Sequence, residues 1–400
     1  MRKSEFTCVR DGLVIRGTEF RPKDRKDSET KMFPAVIISH GFMANQDTVA
    51  KYAQQFVRWG YAAYTFDFSG GCVSGKSDGK TTEMSVLTER EDLKAVMAYV
   101  RSLAYVDASS LVLMGCSQGG FVSALTAARL PEQVAKLILF YPALCIPDDA
   151  RKGRMMMASF RPDNIPETIK CGPMKLGRIY PASVMKMDPF AEISAYPGPV
   201  LIVHGTKDEI VDVSYAQRAQ KAWWEAERQA LGRQEGAPGS CQLLLLDGAG
   251  HGFDQKADRE ALFAVQSFLT GGREVLTIDV NLTGTSVTRK GICSRVAVTF
   301  CGSADSPYFK GTILPGAVDV QNRIGKKTFR FCADYTLEGV DFAGEKCRVH
   351  IVNRNRGKEW KPSVSCDSKA LGFLNGADCT AYLEMREKGP LVRIYTNTGC

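Results

Sequence analysis

The run Gly115-Cys116-Ser117-Gln118-Gly119-Gly120 sets a serine between glycines. It follows an apolar stretch at 111–114 that reads as a buried strand. It precedes a segment in which Phe121, Leu125 and Ala128 share one helical face. A G-x-S-x-G between a strand and a helix is the pattern of a nucleophile elbow, a strained turn that points the serine hydroxyl into a cleft. The flanking positions must be nearly free of side chain, because the strand and helix backbones pass close together there. Ser117 is therefore predicted to be a nucleophile rather than part of a merely tight turn.

A serine hydroxyl needs a base. The chain has four histidines: His40, His204, His251 and His350. In this arrangement the acid and the histidine follow the serine in chain order, which removes His40. His204 ends the apolar run from 200 and reads as a core or strand-end residue, and His350 falls in a different domain. His251 remains, in the glycine-rich segment Asp247-Gly248-Ala249-Gly250-His251-Gly252. The acid is expected just after the strand at 200–204. Asp208 is the best placed to orient the imidazole, with Glu209 and Asp212 as competitors. Oxyanion donors are expected at the backbone N–H of Gln118, next to the nucleophile, and of Phe42, in the loop after the strand at 35–39.

With these residues placed, residues 1–270 resemble the α/β-hydrolase superfamily. The match runs through His40-Gly41-Phe42, the elbow, His204-Gly205-Thr206-Lys207-Asp208 and Gly250-His251. Within the superfamily the chain looks most like bacterial feruloyl (cinnamoyl) esterases, through the Ser-Gln-Gly-Gly elbow and the stretches at 141–151 and 160–167. The resemblance implies an α/β-hydrolase fold: a mostly parallel eight-stranded sheet with helices on both faces and a small lid inserted at about 143–187. It implies a Ser117, Asp208, His251 triad with Phe42 and Gln118 as oxyanion donors, and no cofactor. The implied reaction is hydrolysis of carboxylic esters through an acyl-serine, with hydroxycinnamoyl esters of plant polysaccharide fragments as the substrate class. The chain departs from the family at Cys116, where the elbow often carries histidine, and in its long C-terminal addition. A serine peptidase or other acyl hydrolase of the superfamily, and a non-catalytic binding protein on a hydrolase fold, are the alternatives. A dienelactone-hydrolase reading would need cysteine as nucleophile, and Cys116 lies beside the apex, not at it.

The elements that must position these residues alternate strand and helix, which predicts helices on both faces of a mostly parallel sheet. An N-terminal hairpin is expected at 5–9 and 13–20 around Asp11-Gly12, then a charged loop at 21–31. Further strands are expected at 62–66 and 136–140, and helices near 48–59, 88–102, 118–129, 215–229 and 258–269. The insert carries Met155, Met156, Met157, Met174, Met185 and Met187. These either line an adaptable apolar pocket or pack the insert onto the sheet. The glycines at 70–75 do not form a phosphate-binding loop. After Gly271-Gly272 the period becomes two, as in Leu276, Ile278, Val280 and Leu282, so 274–400 is expected to be an all-β sandwich or barrel. Short stretches at 311–321 and 334–339 resemble a bacterial β-barrel family of unknown function.

Four hundred residues fit the two domains, 1–270 and 274–400. No apolar run approaches the ~20 residues of a membrane helix, and no membrane partner is expected. The first residues lack the apolar core of a secretory leader. Thirteen cysteines, an odd number without C-x-x-C spacing, read as reduced thiols in a cytoplasmic protein without a metal site. The net charge of +8 is dispersed. The basic stretches at 323–330 and 354–358 carry no nucleic-acid signature and read as solvated faces. A homo-oligomer stays open.

Overall fold

The computed structural model describes residues 1–23, 32–232, 238–324, 327–356 and 359–397, without the side chains of 327–329 and 356. Most of the expected charged loop, at 24–31, lies outside the described residues, as do 325–326 and 357–358 of the two basic stretches. Two compact units are present. The first comprises Met1–Gly232 and Gly239–Ala261, and the second contains Leu262–Cys400. The division falls inside the last helix of the first domain, ahead of Gly271.

In the first unit the strands are β1 (Arg2–Arg10), β2 (Leu13–Arg21), β3 (Phe33–Ser39), β4 (Ala62–Phe66), β5 (Val106–Cys116) and β6 (Lys136–Phe140). The insert adds two small hairpins, β7 (Arg154–Met155) with β8 (Ala158–Ser159) and β9 (Thr168–Cys171) with β10 (Met174–Gly177). β11 (Val200–Gly205) and β12 (Cys241–Leu246) complete the main sheet. Its order is β1-β2-β4-β3-β5-β6-β11-β12, antiparallel at β1, β2 and β4 and parallel from β4 onward. Every residue of β4 and β11 is buried. That burial is why these strands read as continuous apolar runs: a parallel strand is covered by helices on both faces.

The helices are α1 (Ala50–Arg58), α2 (Val86–Arg101), α3 (Gln118–Arg129), the short α4 (Ile146–Arg151), α5 (Ile179–Val184) and α6 (Pro189–Ile193), α7 (Ser214–Leu231) and α8 (Gln255–Leu269). α2 opens on a capping box in which Ser85 and Thr88 satisfy each other's backbone N–H groups. α3 is buried along most of its length, which explains why it is rich in small and apolar residues rather than amphipathic. No helix among the described residues is long and apolar enough to cross a membrane.

The second unit resolves the choice left by the sequence: it is an all-antiparallel barrel. Its strands are β13 (Arg273–Lys290), β14 (Cys293–Asp305), β15 (Phe309–Ile313), β16 (Val318–Ile324), β17 (Lys327–Asp341), β18 (Lys346–Arg356), β19 (Glu359–Cys366), β20 (Cys379–Met385) and β21 (Pro390–Thr396). β13 pairs with β21 on one side and β14 on the other, so the sheet closes on itself. β15 and β16 share one position in the ring, each bridging β14 to β17. Closure removes exposed strand edges, and the alternating side chains fill the interior with residues such as Ile278, Leu337, Val349, Ile351 and Ile394.

Candidate active site

Ser117 lies between the end of β5 and the start of α3, with φ 54° and ψ −122°. A non-glycine residue reaches this region only when its surroundings hold it there. Ser117 N–H donates to Phe140 O at 2.9 Å, and Ser117 O accepts from Ala143 N–H at 3.0 Å. The need for glycine beside it is steric. A Cβ on Gly119 would lie 2.2 Å from His40 O, and one on Gly115 would lie 2.1 Å from Gly119 O.

The sheet order puts β3 beside β5, so the loop after β3 reaches the serine. A Cβ on Gly41 would come within 3.1 Å of Ser117 Cβ. His40 fixes this loop. Its Nδ1–H donates to Gly41 O at 2.8 Å, and its Nε2 accepts from Phe68 N–H at 3.1 Å. Burial holds its imidazole below the usual range. His40 thus shapes the loop that carries Phe42. The Gln118 N–H is the first of α3 and has no partner within the helix.

The structure brings Ser117, His251 and Asp208 into one line. Ser117 Oγ lies 3.0 Å from His251 Nε2, and His251 Nδ1 lies 2.8 Å from Asp208 Oδ2. The carboxylate only accepts, so Nδ1 carries the proton and Nε2 faces the serine as an acceptor. The histidine ring stands against Tyr141, centroids 4.6 Å apart, and keeps a fifth of its side chain open to solvent. Asp212 does not take part: it accepts from Ser214 N–H at 2.9 Å at the start of α7. Glu209 is exposed.

A family model described as serine aminopeptidase, S33, matches residues 30–176. The solved structure of Est1E from Butyrivibrio proteoclasticus with ferulic acid bound is 26% identical, with a TM-score of 0.57, covering 66% of this chain and 97% of that one. A second Est1E structure gives 24% and 0.55 over the same shares. The chain belongs to the α/β-hydrolase superfamily. The quorum-quenching protein AidA of Acinetobacter baumannii (strain MDR-ZJ06) is 33% identical over 98 residues, 24% of this chain and 31% of that protein. The match thus spans about a third of the length of the curated relatives.

In this α/β-hydrolase the sequence reading missed what stands behind the acid and beneath the elbow. His204, expected as a core or strand-end residue, is wholly buried near the end of β11, with Nε2 2.9 Å from Val211 O and 3.3 Å from Asp208 Oδ2. Asp208 Oδ1 accepts from the N–H groups of Ile210 and Val211, each at 2.9 Å. Burial alone would raise this carboxyl. The hydrogen bonds from His204, His251 and Val211 outweigh it and hold Asp208 far below the usual carboxylate range. The signal for His204 was its place four residues before Asp208, across a turn.

Below the elbow, the buried Gln118 side chain donates to Glu89 Oε2 at 2.7 Å and accepts from the Tyr180 hydroxyl of the insert. Burial pushes the Glu89 carboxyl well up, and the neighbouring Asp92 adds to the rise against the Gln118 hydrogen bond. Cys116 is buried and its thiol is pushed up to about 12 by burial, so it is no nucleophile at neutral pH.

The cleft at Ser117 is lined by Phe42, Ile146, Met155, Tyr180 and Val211, with Asp149 among them. Both expected roles are found among the methionines, and Met157 takes neither. Met174 is buried in the packing of the insert and Met157 is exposed, whereas Met155 and Met156 line the cleft.

Proposed function

We propose that this hydrolase is a serine carboxylesterase acting on hydroxycinnamoyl esters. The observation that carries the reading is the Ser117–His251–Asp208 line opening on a cleft with aromatic and thioether walls. Ser117 Oγ attacks the ester carbonyl as His251 Nε2 takes its proton. Asp208 stabilises the imidazolium that forms. The N–H groups of Phe42 and Gln118 receive the oxyanion. His251 returns the proton to the departing alcohol, and water then cleaves the acyl-serine by the same route. Phe42 and Tyr180, 5.6 Å apart, offer ring faces to an aromatic acyl group. Asp149, whose carboxyl is pushed up by burial, offers a hydrogen bond to a hydroxyl on that group.

The deciding experiment compares methyl ferulate with short nitrophenyl esters, using wild type and Ser117→Ala. Turnover of methyl ferulate that is lost in the variant is the expected result. Turnover of short acyl esters alone would remove the substrate class and keep the mechanism. Folded wild-type protein with no turnover of either would overturn the reading.

A second reading, an aminopeptidase, is favoured by the family description and by Asp149, a carboxyl able to hold a substrate ammonium. Release of nitroaniline from aminoacyl nitroanilides, lost in Asp149→Asn, would select it.

A further inference from the structure

The barrel holds a second cavity, of about 210 Å³, within the second unit. That is far above the ~10–15 Å³ that admits one water. Most of its wall is apolar or aromatic: Phe300, Phe331, Tyr335 and Trp360 line it. The rings meet edge-on in pairs, Phe331 with Trp360 at 5.4 Å and Phe300 with Tyr335 at 5.3 Å.

Into this wall the sheet register sets one polar row. Asp319 of β16 pairs with Ala333 of β17, which pairs with Asn353 of β18, and all three line the cavity. Ala333, the small residue between them, leaves the space above the row open. Asn353 is 3% exposed, yet among the described residues its Oδ1 has no hydrogen-bond partner, and neither has the buried Oδ1 of Asp319. The other carboxylate oxygen of Asp319 is held by Gln321 Nε2 at 2.8 Å, and Gln321 Oε1 is held by Arg323 Nη2 at 2.6 Å. The carboxylate is thus anchored through one oxygen while the other has no donor among the described residues. Buried acceptors without donors are rare and costly, so two in one row call for a donor from outside the chain. Among the described lining residues Asp319 alone is charged. A donor that serves both acceptors and carries the opposite charge is an ammonium group, and aromatic faces also favour a cation.

We propose that the barrel binds a compact aromatic amine in its protonated form, its ring among Phe300, Phe331, Tyr335 and Trp360 and its ammonium at Asp319 and Asn353. The site belongs wholly to the second unit and stands independently of the reaction proposed for Ser117.

Titration of the full chain with 2-phenylethylamine by calorimetry, with Trp360 fluorescence followed in parallel, tests the assignment. One-to-one binding with a Kd below about 1 mM is expected. Asp319→Asn, which keeps the side-chain shape, weakens it roughly ten-fold or more. The neutral isostere 2-phenylethanol binds wild type more weakly by a similar factor. No heat with 2-phenylethylamine, equal affinity in a folded Asp319→Asn, or equal affinity for 2-phenylethanol would overturn it. If Asp319→Asn fails to fold, the comparison of amine and alcohol on wild type still decides.

Discussion

His204 and His251 both reach the same oxygen of Asp208, at 3.3 and 2.8 Å. The His204 imidazole is wholly buried and its Nε2 also lies 2.9 Å from Val211 O. It holds the carboxylate in the orientation that His251 requires. Removing it leaves the serine and its base in place but frees the acid to turn. We expect His204→Leu to lower kcat about ten-fold, a loss of ~1.4 kcal/mol, with KM little changed. His204→Gln, which keeps a donor, should restore part of the loss. Steady-state kinetics on a nitrophenyl ester, beside the thermal midpoints of both variants, separates positioning from general destabilisation.

The depressed Asp208 carboxyl makes stability depend on pH in a defined direction. Its folded-state pKa lies below the ordinary value, so the unfolded chain binds the proton more readily. The stabilisation is complete above the unfolded pKa of about 4 and is lost as pH falls toward the lower folded value. Urea unfolding between about pH 3 and 6 should show this fall in wild type. Asp208→Asn should flatten it, and an unchanged slope would refute the assignment.

Glu89 works in the opposite direction. Burial raises its folded pKa, so the folded chain holds the proton longer than the unfolded one. Stability therefore falls as pH rises above the unfolded value of about 4.3. Glu89→Gln keeps a partner for Gln118 and removes the ionisation. We expect the variant to gain thermal stability over wild type at pH 8 and to gain less at pH 5.

The elbow admits no Cβ at Gly119, because backbone oxygens of His40 and Ser39 lie 2.2 and 2.5 Å from where it would sit. Backbone cannot yield as a side-chain tip can. Gly119→Ala should cost about 3 kcal/mol and displace the loop that carries Phe42. A lower urea midpoint together with a loss of kcat larger than the change in KM is the expected result. Gly248→Ala, at a position with open space around it but φ of 73°, should affect stability with less effect on turnover.

The sequence alone determined what depends on local backbone and on periodicity. Gly115, Gly119 and Gly120 around Ser117 could be read because the turn between β5 and α3 excludes side chains. The buried strands β4 and β6 could be read because both of their faces are covered, and the all-β character of the second unit because its period is two. Tertiary structure decided whatever joins residues far apart in the chain. Asp208 and Asp212 are equally acidic and four residues apart. The first bonds the N–H groups of its own turn and meets two histidines, whereas the second bonds the start of α7. Glu89 came under Gln118 only when α2 packed on α3. Sandwich or barrel was undecided until β13 paired with β14, since alternation fixes which side chains face inward and not which strand closes the sheet. The row from Asp319 to Asn353 is drawn from three strands and exists only in their register.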